Sequence, residues 1–215
     1  MNRKLAAMLA LALGALLFLS AQTSAGELET IFEKGIYEYG NGAEIQYRYA
    51  SVNPNANGEA CLVIFLHGHS ANGSDNAAQL TKKPVSAIYD YLRENGTHGF
   101  VLAPQRSAEK NAFDLPELAA LIRSFAAEQG ISTSRIYLTG VSQGCVDTWN
   151  LLLTAPDLFR AAIAVSGTPR LTADDIQKIK NIPIYMFAGE KEDKRKLKEL
   201  PALKRRIKKS GKKPS

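Results

Sequence analysis

A chain of 215 residues with 45% hydrophobic content can bury well over half of its unfolded surface, which supports one globular domain with a core. Charged residues at 22%, with ample Leu, Ile, Val and Ala, exclude a disordered polymer, and two cysteines exclude a disulfide scaffold. The formal net charge of +6 is uneven: residues 191–215 hold 12 Lys/Arg against 3 Asp/Glu, residues 1–25 carry Arg3 and Lys4 with no acid, and residues 26–190 are net −5. The basic character therefore describes a tail, not a domain.

Residues 1–25 read as a secretory signal. Arg3 and Lys4 precede a 15-residue apolar run, Leu5–Leu19, and Thr23-Ser24-Ala25 offers small residues for cleavage before Gly26. The run is short for a bilayer span, which needs about 18 residues or more. The expectation is a secreted or periplasmic protein whose mature domain is 26–215, with no stable membrane insertion after cleavage. Cys61 and Cys145 are expected at opposite ends of neighbouring strands, too far apart to bridge, and are read as buried thiols.

From Gly35 to Val52 the residues alternate, with Gly40-Asn41-Gly42 between two Tyr-rich halves, a hairpin signature. Cys61–Leu66 is a continuous apolar run of the kind a strand buried on both faces shows. Further strands are expected at Gly99–Ala103, Arg135–Leu138, Ala161–Val165 and Ile182–Phe187, which makes seven in all. Helices are expected at Ala77–Leu92, with Pro84 an irregularity within it, at Pro116–Gln129, with Asp114 as cap and Gly130 as stop, and at Gln143–Thr154. Leading antiparallel strands followed by alternating strands and helices predict an α/β fold, a mostly parallel sheet covered on both faces.

Arg135–Gly144 reads as a strand running into Gly140-Val-Ser142-Gln-Gly144 and then into a helix. In such an elbow Gly140 and Gly144 are needed because side chains there would collide with neighbouring elements, and the turn strains and exposes Ser142. The Gln143 N–H, at the helix start, then faces a developing oxyanion. A second donor is expected after the run Cys61–Leu66, where Gly68 lets the chain turn and the His69 N–H faces the same point. Gly68-His69-Ser70 lacks the closing glycine, so Ser70 is not the nucleophile.

LHGHSANGSDN, FVLAPQR, the stretch from Ile131 through GVSQG, and PDLFRAAIAVSG resemble the α/β-hydrolase superfamily. The similarity extends to compact phospholipase/carboxylesterase-like enzymes and to secreted feruloyl- or polyhydroxybutyrate-type esterases, over roughly Ile36 to Gly189. The resemblance implies the α/β-hydrolase fold, a Ser–His–Asp/Glu triad, an oxyanion hole at His69 and Gln143, and no cofactor. No metal-spaced Cys/His cluster or phosphate-binding Gly-rich loop is present in the sequence.

On this fold the triad order is serine, acid, histidine. The strand Ile182–Phe187 leads into a cluster in which Glu192 or Asp193 is the candidate acid. No histidine follows His98. His67 is expected to be packed and hydrogen-bonded, His98 to lie at the far edge of the sheet, and His69 to be committed to the oxyanion loop. Leu197, Leu200, Leu203 and Ile207 share one helical face within a basic amphipathic helix, 194–215, so the chain is expected to stop short of the last strand, the histidine loop and the final helix.

The function read from these residues is hydrolysis of carboxylic esters through an acyl-enzyme on Ser142, with a small-molecule or polymer-borne ester as partner and turnover impaired by the missing histidine. The alternatives are a non-catalytic binding member of the same fold, or a membrane or nucleic-acid binder acting through the tail. Nucleic acid is disfavoured, because the tail lacks aromatic residues for base stacking.

Overall fold

In a computed structural model, residues 23–40, 42–167, 169, 171–189 and 205 are described. Glu192, Asp193 and, apart from Arg205, the basic tail lie outside the described residues, as do residues 1–22. The seven expected strands are β1 (Glu33–Tyr39), β2 (Ala43–Val52), β3 (Cys61–Leu66), β4 (Gly99–Pro104), β5 (Ile136–Val141), β6 (Ala161–Val165) and β7 (Ile184–Phe187). They form one sheet in the order β1-β2-β4-β3-β5-β6-β7. β1 and β2 are an antiparallel hairpin, β2 is antiparallel to β4, and β4-β3-β5-β6-β7 are parallel.

The parallel strands β3 and β4 are buried at every position, as their continuous apolar runs require when both faces are covered. Leu62, Ile64 and Leu66 project into a core shared with α3 (Leu115–Glu128) and α4 (Gln143–Thr154), where Phe125 and Trp149 are buried. Cys61, Val63 and Phe65 project the other way, onto α1 (Ala25–Ile31) and α2 (Lys83–Glu94). Cys61 and Cys145 are both buried thiols, and burial pushes the Cys61 thiol up to about 11.

Local sequence rules explain most element boundaries. Asp114 caps α3 by accepting from the Glu117 N–H. The stretch expected as one helix over Ala77–Leu92 divides into a 3₁₀ turn, Ala78–Thr81, and α2. Pro84 stands in the first turn of α2, where its missing N–H costs no helical hydrogen bond, so it begins the helix rather than disturbing it. A further helix, α5 (Ala173–Ile179), occupies the connection between β6 and β7, closed by reciprocal bonds between Thr172 and Asp175.

α1 was not expected from the sequence. Ser24 caps it, exchanging bonds with Glu27, and the Thr23 N–H and hydroxyl both donate to the buried Asp90 carboxylate, at 3.0 and 2.6 Å. A cut after Ala25 would remove the cap and both donors and leave an ammonium at the helix N-terminus, where a positive charge is unfavourable. A chain starting at Gly26 is therefore expected to be less stable than one starting at Gln22 by about 2–4 kcal/mol, read from urea denaturation midpoints. Equal midpoints would show that Thr23 and Ser24 contribute nothing to the fold.

Candidate active site

Ser142 stands between β5 and α4 with φ 55° and ψ −116°, a conformation that costs a non-glycine residue of order 1–3 kcal/mol. The strain is imposed by packing on both sides. A Cβ on Gly144 would overlap the Leu66 carbonyl oxygen and come within 2.6 Å of that of His67, and one on Gly140 would overlap the Gly144 carbonyl oxygen. Strand and helix thus meet backbone to backbone, and the turn between them pushes Ser142 out to an exposed position.

The opposing wall comes from the end of β3. Gly68 has an ordinary φ of −75°, so backbone strain is not what calls for glycine here. A Cβ there would lie 3.5 Å from the Ser142 Cβ and from the Val141 carbonyl oxygen, ordinary contact distances, so crowding does not require glycine either. His69 then opens a one-turn 3₁₀ helix, His69–Ala71. Ser142, His69, Gly68, Lys82 and Lys83 line one cleft of about 610 Å³. Next to it an apolar cavity of about 330 Å³ is lined by Phe65, Pro84, Val141, Val165 and Phe187.

The His69 N–H, in the loop that lines the same cleft as Ser142, and the Gln143 N–H, on the residue after it, donate to no acceptor among the described residues. Two unpaired amides beside a strained serine are the donor arrangement that a tetrahedral oxyanion requires.

The three histidines occupy three different settings. His67 is fully buried, with its Nε2 accepting from the Arg106 N–H at 2.9 Å and its Nδ1 2.7 Å from the Gly68 carbonyl oxygen. Burial lowers its pKa to about 4, so the ring is neutral at pH 7 and its single proton sits on Nδ1, donating to Gly68. His69 is exposed, its Nδ1 3.1 Å from Asn111 Oδ1. His98 lies just before β4, at the opposite edge of the sheet from Ser142, beside the Gly58 carbonyl. None of the three hydrogen-bonds to Ser142 among the described residues.

The His67 ring predicts a pH dependence of stability. Its folded pKa lies below the ordinary value of 6.5, so its contribution is complete above pH 6.5 and is lost as pH falls towards 4, because the unfolded chain takes up the proton first. The loss is expected to be about 3 kcal/mol across that window. Denaturation at pH 7 and pH 4.5 should show a clearly smaller decline in His67→Asn than in wild type, and equal declines would contradict the assignment. Asp75 and Asp157, whose pKa values are lowered by Gln105 and Arg123 respectively, act at lower pH and do not confuse the comparison.

Arg106 was not singled out from the sequence. It follows the end of β4, is fully buried, and forms an ion pair with Asp147 of α4. Its Nη1 donates to Asn72 Oδ1 at 2.7 Å, and the guanidinium lies 5.1 Å from the centre of the Phe113 ring. Burial pushes the Asp147 carboxyl up while the guanidinium pulls it down. The available sequence signal was a charged residue directly after a strand buried at every position.

Comparison with known proteins agrees with this geometry. Feruloyl esterase B of Talaromyces stipitatus is 23% identical over 160 residues, covering 66% of this chain and 42% of its own length, so the chain spans less than half of that relative. A solved thermostable esterase is 27% identical with a TM-score of 0.73, over 85% of this chain and 52% of that one. A feruloyl esterase module from Clostridium thermocellum, solved with sinapinate, shares the fold at 16% identity and a TM-score of 0.57, over 85% of this chain and 73% of that one. The sheet order, the serine elbow and the esterase neighbours make this an α/β-hydrolase, and with residues 93–214 matching the family's sequence pattern, the chain belongs to the prolyl oligopeptidase family.

Proposed function

We propose that the chain is an exported carboxylic ester hydrolase, or the nucleophile-bearing part of one, in which Ser142 forms an acyl-enzyme. The observation that carries this reading is the strained, exposed Ser142 beside two amides that are unpaired among the described residues. Ser142 Oγ attacks the ester carbonyl, and the carbonyl oxygen becomes an oxyanion held by the His69 and Gln143 N–H groups. The alkoxide then leaves with the electrons of the broken C–O bond and is protonated from solvent, which balances the hydroxyl proton that Oγ gives up to solvent on attack. Water attacks the acyl carbonyl in the second half-reaction and releases the acid. Glu192 or Asp193 is the acid that would orient a histidine base, and these 215 residues contain no histidine placed to act as that base.

The family match admits peptide bonds as a second substrate class. An amine leaving group must be protonated by the triad histidine, whereas the alcohol of an activated ester departs without that help. The esterase relatives favour esters over amides. The apolar cavity beside Val141 and the feruloyl esterase relatives support an aromatic or otherwise apolar acyl group.

Reaction with a fluorophosphonate tests the reading. The adduct is expected to form slowly in the wild type, to vanish in Ser142→Ala and to persist in His69→Ala, because His69 contributes its backbone N–H. An adduct that survives Ser142→Ala would overturn the assignment of the nucleophile, and loss in His69→Ala would make that imidazole the base.

A further inference from the structure

We propose that Arg106 is a positioning residue that holds both oxyanion donors in place, a role that rests on the reading of Ser142 as nucleophile. The first donor, the His69 N–H, shares a peptide unit with the Gly68 carbonyl. In a trans peptide the C=O and N–H point in opposite directions, so fixing one aims the other. His67 Nδ1–H fixes the Gly68 carbonyl at 2.7 Å. The Arg106 backbone N–H in turn occupies His67 Nε2 at 2.9 Å and thereby selects the tautomer that can donate to Gly68.

The Arg106 side chain extends the same hold. Nη2 lies 3.4 Å from the His67 carbonyl oxygen, and Nη1 donates to Asn72, whose Nδ2 bonds at 2.7 Å to the same Asn111 Oδ1 that meets the His69 ring. On the other side the guanidinium pairs with Asp147, which lies one turn along α4 from Gln143. Gln143 carries the second donor N–H. One buried residue therefore ties the loop after β3 to α4, the two elements that must stay in register for both amides to reach one oxygen.

A contribution to stability alone does not explain this choice of residue. Buried ion pairs are often matched or exceeded in stability by apolar residues of similar volume. The planar fork, with donors spread over Asn72, His67 and Asp147, is a geometric device that a lysine cannot reproduce.

The test measures the rate at which a fluorophosphonate labels Ser142. In that reaction Oγ bonds to phosphorus, fluoride leaves with the P–F electron pair, the hydroxyl proton passes to water, and the phosphoryl oxygen rests on the two amides. Arg106→Met is expected to slow labelling by about 10²–10³-fold, the effect of losing an oxyanion donor. Arg106→Lys, which keeps the charge and guards against a failure of the first variant to fold, is expected to slow it by about tenfold or more. Arg123→Met, which breaks only an exposed ion pair with Asp157, is expected to label at the wild-type rate.

Two further readings separate positioning from general structural damage. Noncovalent binding of 4-nitrophenyl butyrate, measured in the Ser142→Ala background, is expected to change less than threefold on adding Arg106→Lys. The ¹H–¹⁵N resonances of His69 and Gln143 are expected to move together in Arg106→Lys while those of β1 and β2 stay in place. Wild-type labelling rates in a folded Arg106 variant, or a loss of noncovalent binding as large as the loss of rate, would overturn the proposal. No labelling of wild-type Ser142 would instead defeat the nucleophile assignment, and the two resonances would still report whether Arg106 holds the amides.

Discussion

Replacing Gly144 with alanine is expected to leave little folded protein at physiological temperature. The added Cβ would collide with the carbonyl oxygens of Leu66 and His67, backbone atoms at the end of the central strand β3, and no side-chain rotation can relieve the overlap. β3 is hydrogen-bonded to both β4 and β5, so yielding at Leu66 disturbs the middle of the sheet. The cost is expected to exceed about 4 kcal/mol, a large part of the 5–15 kcal/mol by which such domains are usually stable. Gly26→Ala is the matched control: it lies in α1 with nothing within 4 Å of the new Cβ, and it should be neutral or slightly stabilising. Soluble yield and urea midpoints of the two variants measure the difference, and a folded Gly144→Ala of wild-type stability would contradict the tight strand-to-helix contact.

The second large effect is on rate. With no histidine hydrogen-bonded to Ser142 among the described residues, turnover of an activated aryl ester by the 215-residue chain is expected to fall about 10⁴-fold or more below that of an enzyme with a complete triad. The residual rate should come from the oxyanion donors and binding alone. Free imidazole in solution can take the proton that the missing side chain would have taken. Its addition is expected to raise the wild-type rate well above that of Ser142→Ala measured at the same imidazole concentration, which subtracts imidazole's own reaction with the ester. A rate typical of a complete triad, unaffected by imidazole, would show that one of the three histidines reaches Ser142 after all.

The parts of this site that could be read from sequence were those fixed by local constraints. Cys61–Leu66 and Ala161–Val165 begin and end where their apolar runs do, because strands buried on both faces leave no room for polar interruptions. The elbow was visible because Gly140 and Gly144 are each required by a backbone contact close by in sequence or in the adjoining strand. α5 went unseen because seven residues show too little periodicity, although Thr172 and Asp175 did mark its start. α1 went unseen because its first residue lies in a stretch of small residues that suits cleavage equally well. The network of His67, Asn72, Arg106 and Asp147 could not be read from the chain at all. Its members come from three segments that meet only when β3, β4 and α4 converge, and nothing local to Arg106 reveals what a buried guanidinium will bind.

Acylation of the Ser142 oxygen can be read by mass spectrometry of the chain quenched during incubation with 4-nitrophenyl butyrate. Deacylation needs the same absent base as acylation, so the intermediate should persist long enough to be mapped. A single butyryl group is expected on the peptide containing Ser142, absent from Ser142→Ala. Acylation of His69 or a lysine, with Ser142 unmodified, would contradict the assignment of Ser142 as nucleophile.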